Sequence, residues 1–206
     1  MLGRKLRLDG CTLTREAEMS ARTRNWSIGM SLILLRHTRP EGADGICYGR
    51  SDLPLAEGFE AEVARLLAEL PQVVRIVTSP LSRCRLLAEA IGARRNQRIE
   101  SDPRLLEMDF GEWENRSWSD IPRAQIDAWM QDFDHAKPHG GESVFDLAQR
   151  THAAFDALSG GAVPVLAVTH SGVIRSALAG LGDPQGWHVN TDFGNWRQVD
   201  WPARAV

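Results

Sequence analysis

The sequence predicts a three-layer α/β/α domain built on a mainly parallel sheet. Short apolar runs of strand type stand at residues 31–35, 73–77 and 163–168, rich in Val, Ile and Leu and too short for helices. The segments between them repeat apolar residues at helical spacing. Strands that alternate with helices in this way form parallel sheets covered on both faces.

Residues 1–29 show no sustained period and mix charges with Thr, Ser and Gly. They are expected to be an N-terminal extension, with the domain running over residues 30–206. Ser31 to Leu35 reads as a buried first strand, followed by a polar loop to Pro54. Phe59, Val63, Leu66, Leu67 and Leu70 mark a helix that Pro71 ends. Val73 to Val77 is the second strand. Ser79-Pro80 turns the chain into a helix holding Leu81, Cys84, Leu87, Ala88 and Ile91. Gln97 to Glu100 reads as a short third strand, and residues 102–118 as irregular. Ile121 to Phe133 is expected to be a helix with Pro122 in its first turn. A Pro- and Gly-rich loop runs from His135 to Glu142, and residues 102–142 are expected to form a partial lid. Val144, Leu147, Thr151, Ala154, Phe155 and Leu158 mark the next helix. Val163 to Val168 is the fourth strand, Val173 to Leu181 a closing helix, and Trp196 to Trp201 a last edge strand.

At 206 residues with 43% hydrophobic content, the chain is long enough for one well-cored domain. The net charge of −3 points to neither nucleic acid nor a membrane as partner. Residues 1–29 hold six Lys/Arg against three acids, so the remainder carries −6. An acidic body that handles an anion must concentrate its positive charge locally, which directs attention to Arg36, Arg39 and Arg83. Cys11, Cys47 and Cys84 are widely spaced and form no CxxC, which argues for a reducing compartment and against a zinc site. No apolar run reaches the roughly 18–20 residues of a membrane span. Nor does the N-terminus hold the apolar core of a signal peptide. The expected location is the cytoplasm.

Two histidines carry the functional reading. Arg36-His37 and Thr169-His170 each end a strand-type run, 133 positions apart in the chain. Ligands of open α/β sheets bind outside the carboxyl ends of the strands, so both imidazoles can meet in one crevice. Arginine clamps an oxyanion while a neutral imidazole attacks it. Arg83 lies in the first turn of a helix after the second strand, unfavourable to the helix dipole unless an anion sits nearby. The stretch from Leu105 to Glu114 holds four carboxylates in an aromatic setting. One carboxyl held against Phe110 or Trp113 would keep its proton more readily and serve as an acid. Spacing alone does not choose among Glu107, Asp109, Glu112 and Glu114. No Asp/His cluster has metal-ligand spacing, so neither metal nor cofactor is expected. Of the other histidines, His152 is expected at the surface or boundary, His188 lies in no motif, and His135 and His139 are expected in a solvated loop. Trp113 and Trp118 are the tryptophans expected to border the pocket.

These stretches resemble the histidine phosphatase superfamily, of phosphoglycerate-mutase-like fold. The matching segments are Leu35-Arg36-His37, Ser79 to Cys84, Glu107 to Glu114, Gly140 to Ser143 and Thr169 to Arg175. They occur in family order over about residues 31–200. The resemblance implies that His37 becomes phosphohistidine, that Arg36, Arg83 and His170 hold the phosphoryl oxygens, and that Glu107 protonates the leaving alkoxide. It implies a phosphate monoester bound by Arg36, Thr38, Arg39, Tyr48, Gly49, Arg83, Glu142, Ser143, His170 and Ser171. Glu142-Ser143 also suits the start of a helix. Two positions depart from the family pattern: Thr38 and Asn115 stand where glycine is usual. Arg36-His37-Thr38-Arg39-Pro40 followed by Ile46 to Leu55 is similar to the alpha-ribazole phosphatase branch, which implies that substrate and a place in cobalamin synthesis. A less selective small-molecule phosphatase and a non-catalytic phospho-ligand binder share the motifs. The intact Arg36, His37, Arg83, Glu107 and His170 argue against the second. A mutase needs a second anion site, and no further basic motif supplies one.

Overall fold

The computed structural model describes residues 31–159 and 164–202. The expected N-terminal extension, residues 1–29, lies outside the described residues. The strands are β1 (Ser31–Arg36), β2 (Arg75–Thr78), β3 (Ile99–Ser101), β4 (Val165–Thr169) and β5 (Trp196–Asp200). They form one sheet in the order β3-β2-β4-β1-β5, and only β5 runs antiparallel to its neighbour. The α-helices are α1 (Phe59–Glu69), α2 (Ser82–Arg95), α3 (Arg123–Gln131), α4 (Val144–Leu158) and α5 (Ser171–Gly180).

The period-2 alternation of the strands builds the layers. Leu32 and Leu34 of β1 join Val165 and Ala167 of β4 against Val144, Leu147 and Phe155 of α4 and Val173, Ile174 and Ala177 of α5. Ile33 and Leu35 point the other way and join Leu166 and Val168 against Val63 and Leu66 of α1 and Leu87 and Ile91 of α2. Every residue from Ser31 to Leu35 and from Val165 to Thr169 is buried. That two-sided burial explains why these strands read as continuous apolar runs. The fold class is therefore the expected three-layer α/β/α sandwich. A third, small cluster of Cys47, Trp113 and Ile121 lies under residues 102–142.

Several details differ from the sequence reading, among them the third strand, which runs over Ile99–Ser101, and the helix expected to reach Phe133, which ends at Gln131. β2 begins at Arg75, because Val74 is 59% exposed and lies before the ladder. The irregular stretch after β3 contains three short 3₁₀ turns, at Pro103–Leu105, Gly111–Trp113 and Trp118–Asp120. Pro122 is the N-cap of α3 and not part of its first turn. α5 begins at Ser171, directly after His170. The last shift matters for chemistry: it makes the Gly172 amide a first-turn N–H with no partner inside the helix. Val163, the expected start of the fourth strand, lies outside the described residues.

Candidate active site

The sheet order places the reactive strand ends side by side. Arg36 pairs with Thr169 in the β1–β4 ladder, and Thr78 pairs with Val168 in the β2–β4 ladder. The next residue of each strand is His37, His170 or Ser79. The rings of His37 and His170 meet edge to face, their centres 5.2 Å apart. His170 Nε2 lies 2.8 Å from Ser79 Oγ. Sheet topology thus closes the 133-residue separation in sequence.

His37 is 2% exposed, and its Nδ1 lies 2.8 Å from the Thr38 carbonyl oxygen. A carbonyl only accepts, so Nδ1 carries the proton and Nε2 keeps a free lone pair. Burial, then the nearby charges of Arg83 and Arg36, push His37 well below the ordinary histidine range. His170 is pushed the same way, first by burial and then by Arg83. Both imidazoles are therefore neutral near pH 7. Among the described residues, only Asn96 and Asn115 are non-glycine residues with positive φ, so Thr38 occupies ordinary backbone where the family favours glycine. Asn115, at φ 62°, keeps the left-handed conformation that asparagine tolerates.

Two guanidinium groups flank the histidines. Arg36 Nη1 donates to the Thr191 carbonyl at 2.8 Å, and its guanidinium stacks 3.8 Å from the centre of the Phe193 ring. Arg83 is fully buried, and its Nη1 and Nη2 donate to the Ser51 and Gly49 carbonyls at 2.7 and 2.6 Å. Both arginines also bury an Nε with no protein partner. Buried N–H donors without acceptors beside two cations suit an oxyanion.

The loop that holds Arg83 is itself held by Glu114. The Glu114 carboxylate accepts the amides of Gly49, Arg50, Ser51 and Phe110 at 2.9–3.1 Å, and the Ser51 hydroxyl at 2.5 Å. Burial opposes its charge, but the Ser51 hydroxyl and the three loop amides prevail and hold its pKa below the ordinary carboxylate range. Gly49 has no room for a side chain: a Cβ there would fall 1.8 Å from the Met108 carbonyl oxygen. Glu114→Gln turns an amide donor toward those N–H groups and is expected to cost about 2–3 kcal/mol in urea unfolding. A carboxylate with a lowered folded pKa stabilises above its unfolded value and loses that contribution as pH falls through the folded one. The wild-type advantage over Glu114→Gln should therefore shrink as pH falls below about 4.3.

Of the four candidate acids, placement singles out Glu107. Its Oε1 accepts the Met108 amide at 3.0 Å and its Oε2 the first-turn Gly172 amide at 3.1 Å. A Cβ on Gly172 would lie 2.2 Å from Oε1, so glycine permits the approach. Glu107 borders a cleft of about 300 Å³ and lies within electrostatic reach of Arg36 and Tyr48. Asp109 caps the Gly111 amide at 2.8 Å, and Glu112 is exposed.

The remaining expected residues divide into two groups. Thr38 is buried beside His37, with its hydroxyl unpartnered in the protein, and Ser171 lines the cleft. Tyr48 is half-buried near Arg36 and Arg83. Arg39 reaches the rim, where it pairs with Asp44 at 2.6 Å and is 56% exposed. Gly49, Glu142 and Ser143 stand behind the site, because their polar groups are committed to protein partners. The Gly49 amide serves Glu114, Glu142 binds Arg150 through both oxygens at 2.6 and 2.7 Å, and Ser143 caps α4 in a capping box with Asp146.

Two expectations are corrected, and one residue escaped the sequence. Trp113 is buried in the small third cluster with its indole N–H on Gln125, and Trp118 is exposed, so Trp129 and Trp187 line the cleft instead. His139 is buried against Trp113, with ring centres 4.8 Å apart, and is not in a solvated loop. Arg150 had no motif signal, because most of its partners are backbone carbonyls, which the sequence does not encode.

Residues 32–203 match the histidine phosphatase superfamily (branch 1). The chain is 30% identical over 182 residues to the adenosylcobalamin/alpha-ribazole phosphatase of Escherichia coli K12, covering 83% of this chain and 90% of that one. It is 34% identical over 195 residues to the glucosyl-3-phosphoglycerate phosphatase of Mycolicibacterium vanbaalenii, covering 84% and 85%. The alpha-ribazole phosphatase structure from Shigella flexneri superposes with a TM-score of 0.74 at 30% identity, covering 83% and 90%. With the family match running from the second residue of β1 to beyond β5, the chain belongs to the histidine phosphatase superfamily.

Proposed function

We propose that the chain is a cytoplasmic, metal-independent phosphomonoesterase that works through a phosphohistidine on His37, with alpha-ribazole 5′-phosphate as its substrate. The observation that carries the chemistry is the single free lone pair on His37 Nε2, set among Arg36, Arg83 and His170. Nε2 attacks phosphorus, the bond to the leaving oxygen breaks, and the Glu107 proton goes to that oxygen. Water then attacks the phosphohistidine, the P–N bond breaks, and Glu107 takes a proton from the water. Arg36 and Arg83 carry the charge that spreads over the equatorial oxygens in both steps.

The cleft supports the substrate. Beyond Glu107 its lining is mostly apolar, including Met108, Phe110, Trp129, Phe133 and Trp187, with Arg175 and His188 also in the wall. A flat arene such as the base of alpha-ribazole fits the apolar part of this lining. Steady-state assays with alpha-ribazole 5′-phosphate, glucosyl-3-phosphoglycerate and p-nitrophenyl phosphate test the assignment. A kcat/KM for alpha-ribazole 5′-phosphate about 10²-fold above the other two is expected. Similar values for all three would identify a broad-specificity phosphatase, and no turnover of any a phospho-ligand binder.

Chelators are expected to leave kcat unchanged, because guanidinium groups occupy the place where a metal would neutralise the phosphoryl charge. Among the described residues, no group of three His, Cys, Asp or Glu is placed to hold a metal. Activity lost in EDTA and restored by Mg²⁺ would contradict the mechanism.

A further inference from the structure

Arg150, on α4, has all five N–H donors engaged. Nε and Nη2 bind the two Glu142 oxygens at 2.6 and 2.7 Å. Nη1 donates to the carbonyls of Arg104 and Leu106 at 2.8 and 2.7 Å, and Nη2 to that of Glu107 at 3.0 Å. The intervening Leu105 carbonyl accepts the Thr169 hydroxyl at 2.9 Å, next to His170. Four consecutive carbonyls, of residues 104–107, are thus taken, three of them by one guanidinium. On the far side of Glu107, the Asp109 amide reaches Glu142 Oε2 at 3.3 Å. Residues 106–110, which carry the acid, lie in neither strand nor helix, so no ladder fixes them. Beside the 3₁₀-turn bonds before this segment and the Glu142 amide on the Asp109 carbonyl, its backbone is held by one largely buried ion pair and one hydroxyl.

We propose that Arg150, locked by Glu142, is a positioning residue for the acid. It fixes the backbone from which Glu107 projects to the Gly172 amide and the leaving oxygen. This rests on the reading of Glu107 as general acid. Lysine cannot replace it, because one ammonium has three donors at a single point and cannot span Glu142 and three carbonyls.

The test is a double-mutant cycle of Arg150→Lys and Glu107→Gln, read as kcat/KM on two esters. 2-Phenylethyl phosphate has a basic alkoxide leaving group and p-nitrophenyl phosphate a weakly basic one, and both carry a ring. Arg150→Lys is expected to lower kcat/KM for 2-phenylethyl phosphate about 10²-fold and to leave p-nitrophenyl phosphate within about threefold. In the Glu107→Gln background it should cost nothing further. A merely structural arginine would lower both esters alike, or add its full effect to that of Glu107→Gln; either result, or no effect at all, overturns the proposal. If Arg150→Lys does not fold, Glu142→Gln, which keeps the carbonyl bonds but loosens the guanidinium, is read in the same cycle by the same criteria. If Glu107→Gln itself lacks leaving-group selectivity, the acid assignment fails, and the proposal with it. If Glu107→Gln is selective and Arg150→Lys is not, the positioning role alone fails.

Discussion

His37→Ala is expected to reduce phosphatase turnover by about 10⁴–10⁶-fold, the scale seen when a covalent nucleophile is removed. No side chain at hand can replace it. His170 is the nearest imidazole, but its Nε2 faces Ser79 Oγ and the Cys84 sulfur at 2.8 and 3.4 Å. In rapid-quench experiments the wild type should accumulate an acid-labile phosphoenzyme and His37→Ala none. A variant that keeps a tenth of wild-type turnover would remove His37 from the nucleophile's role. The site also predicts a protonation state. Burial and two guanidinium charges hold the His37 pKa down. Its ring should therefore remain neutral by NMR at pH 6.5, where a free histidine is half protonated. A ring half protonated there would mean that burial and the arginines do not hold it neutral.

Glu107→Gln is expected to lower kcat/KM for an alkyl phosphate about 10²–10⁴-fold while sparing p-nitrophenyl phosphate. An acid helps in proportion to the basicity of the departing oxygen, and nitrophenolate departs with little help. Gln keeps an oxygen for one of the two amides that Glu107 accepts, from Met108 and Gly172, so the segment should stay in place while the proton is lost. Glu112→Gln is the matched control, since Glu112 is exposed and its side chain has no part in the cleft. Glu114 is unsuitable as a control because it holds the loop under Arg83. Equal slowing of both esters would show that departure of the leaving group is not what Glu107 assists.

The layered fold was legible because its determinants are local and periodic. The alternation in Ser31–Arg36 and Val165–Thr169 assigns each side chain to one face of the sheet. The 3.6-residue pattern of Val144–Leu158 does the same for the helix that covers it. The Arg36-His37 and Thr169-His170 pairs were legible as well, since parallel strands expose their carboxyl ends on one edge whatever their order. Other features required the tertiary structure. Four carboxylates between residues 107 and 114 are chemically alike in sequence. One is separated from the rest by a first-turn amide of α5, and another by a loop 63–65 residues away. Trp129 and Trp187 replaced Trp113 and Trp118 at the cleft because packing over residues 102–142 decides which indole faces inward. Arg150 was invisible because a backbone carbonyl accepts the same way whatever residue bears it. By itself the sequence determined the layers, the strand-end cations and the paired imidazoles, all consequences of short-range periodicity. Only the tertiary structure separated Glu107 from the neighbouring carboxylates by its surroundings and revealed what holds its segment, because those features depend on hydrogen bonds between segments far apart in the chain.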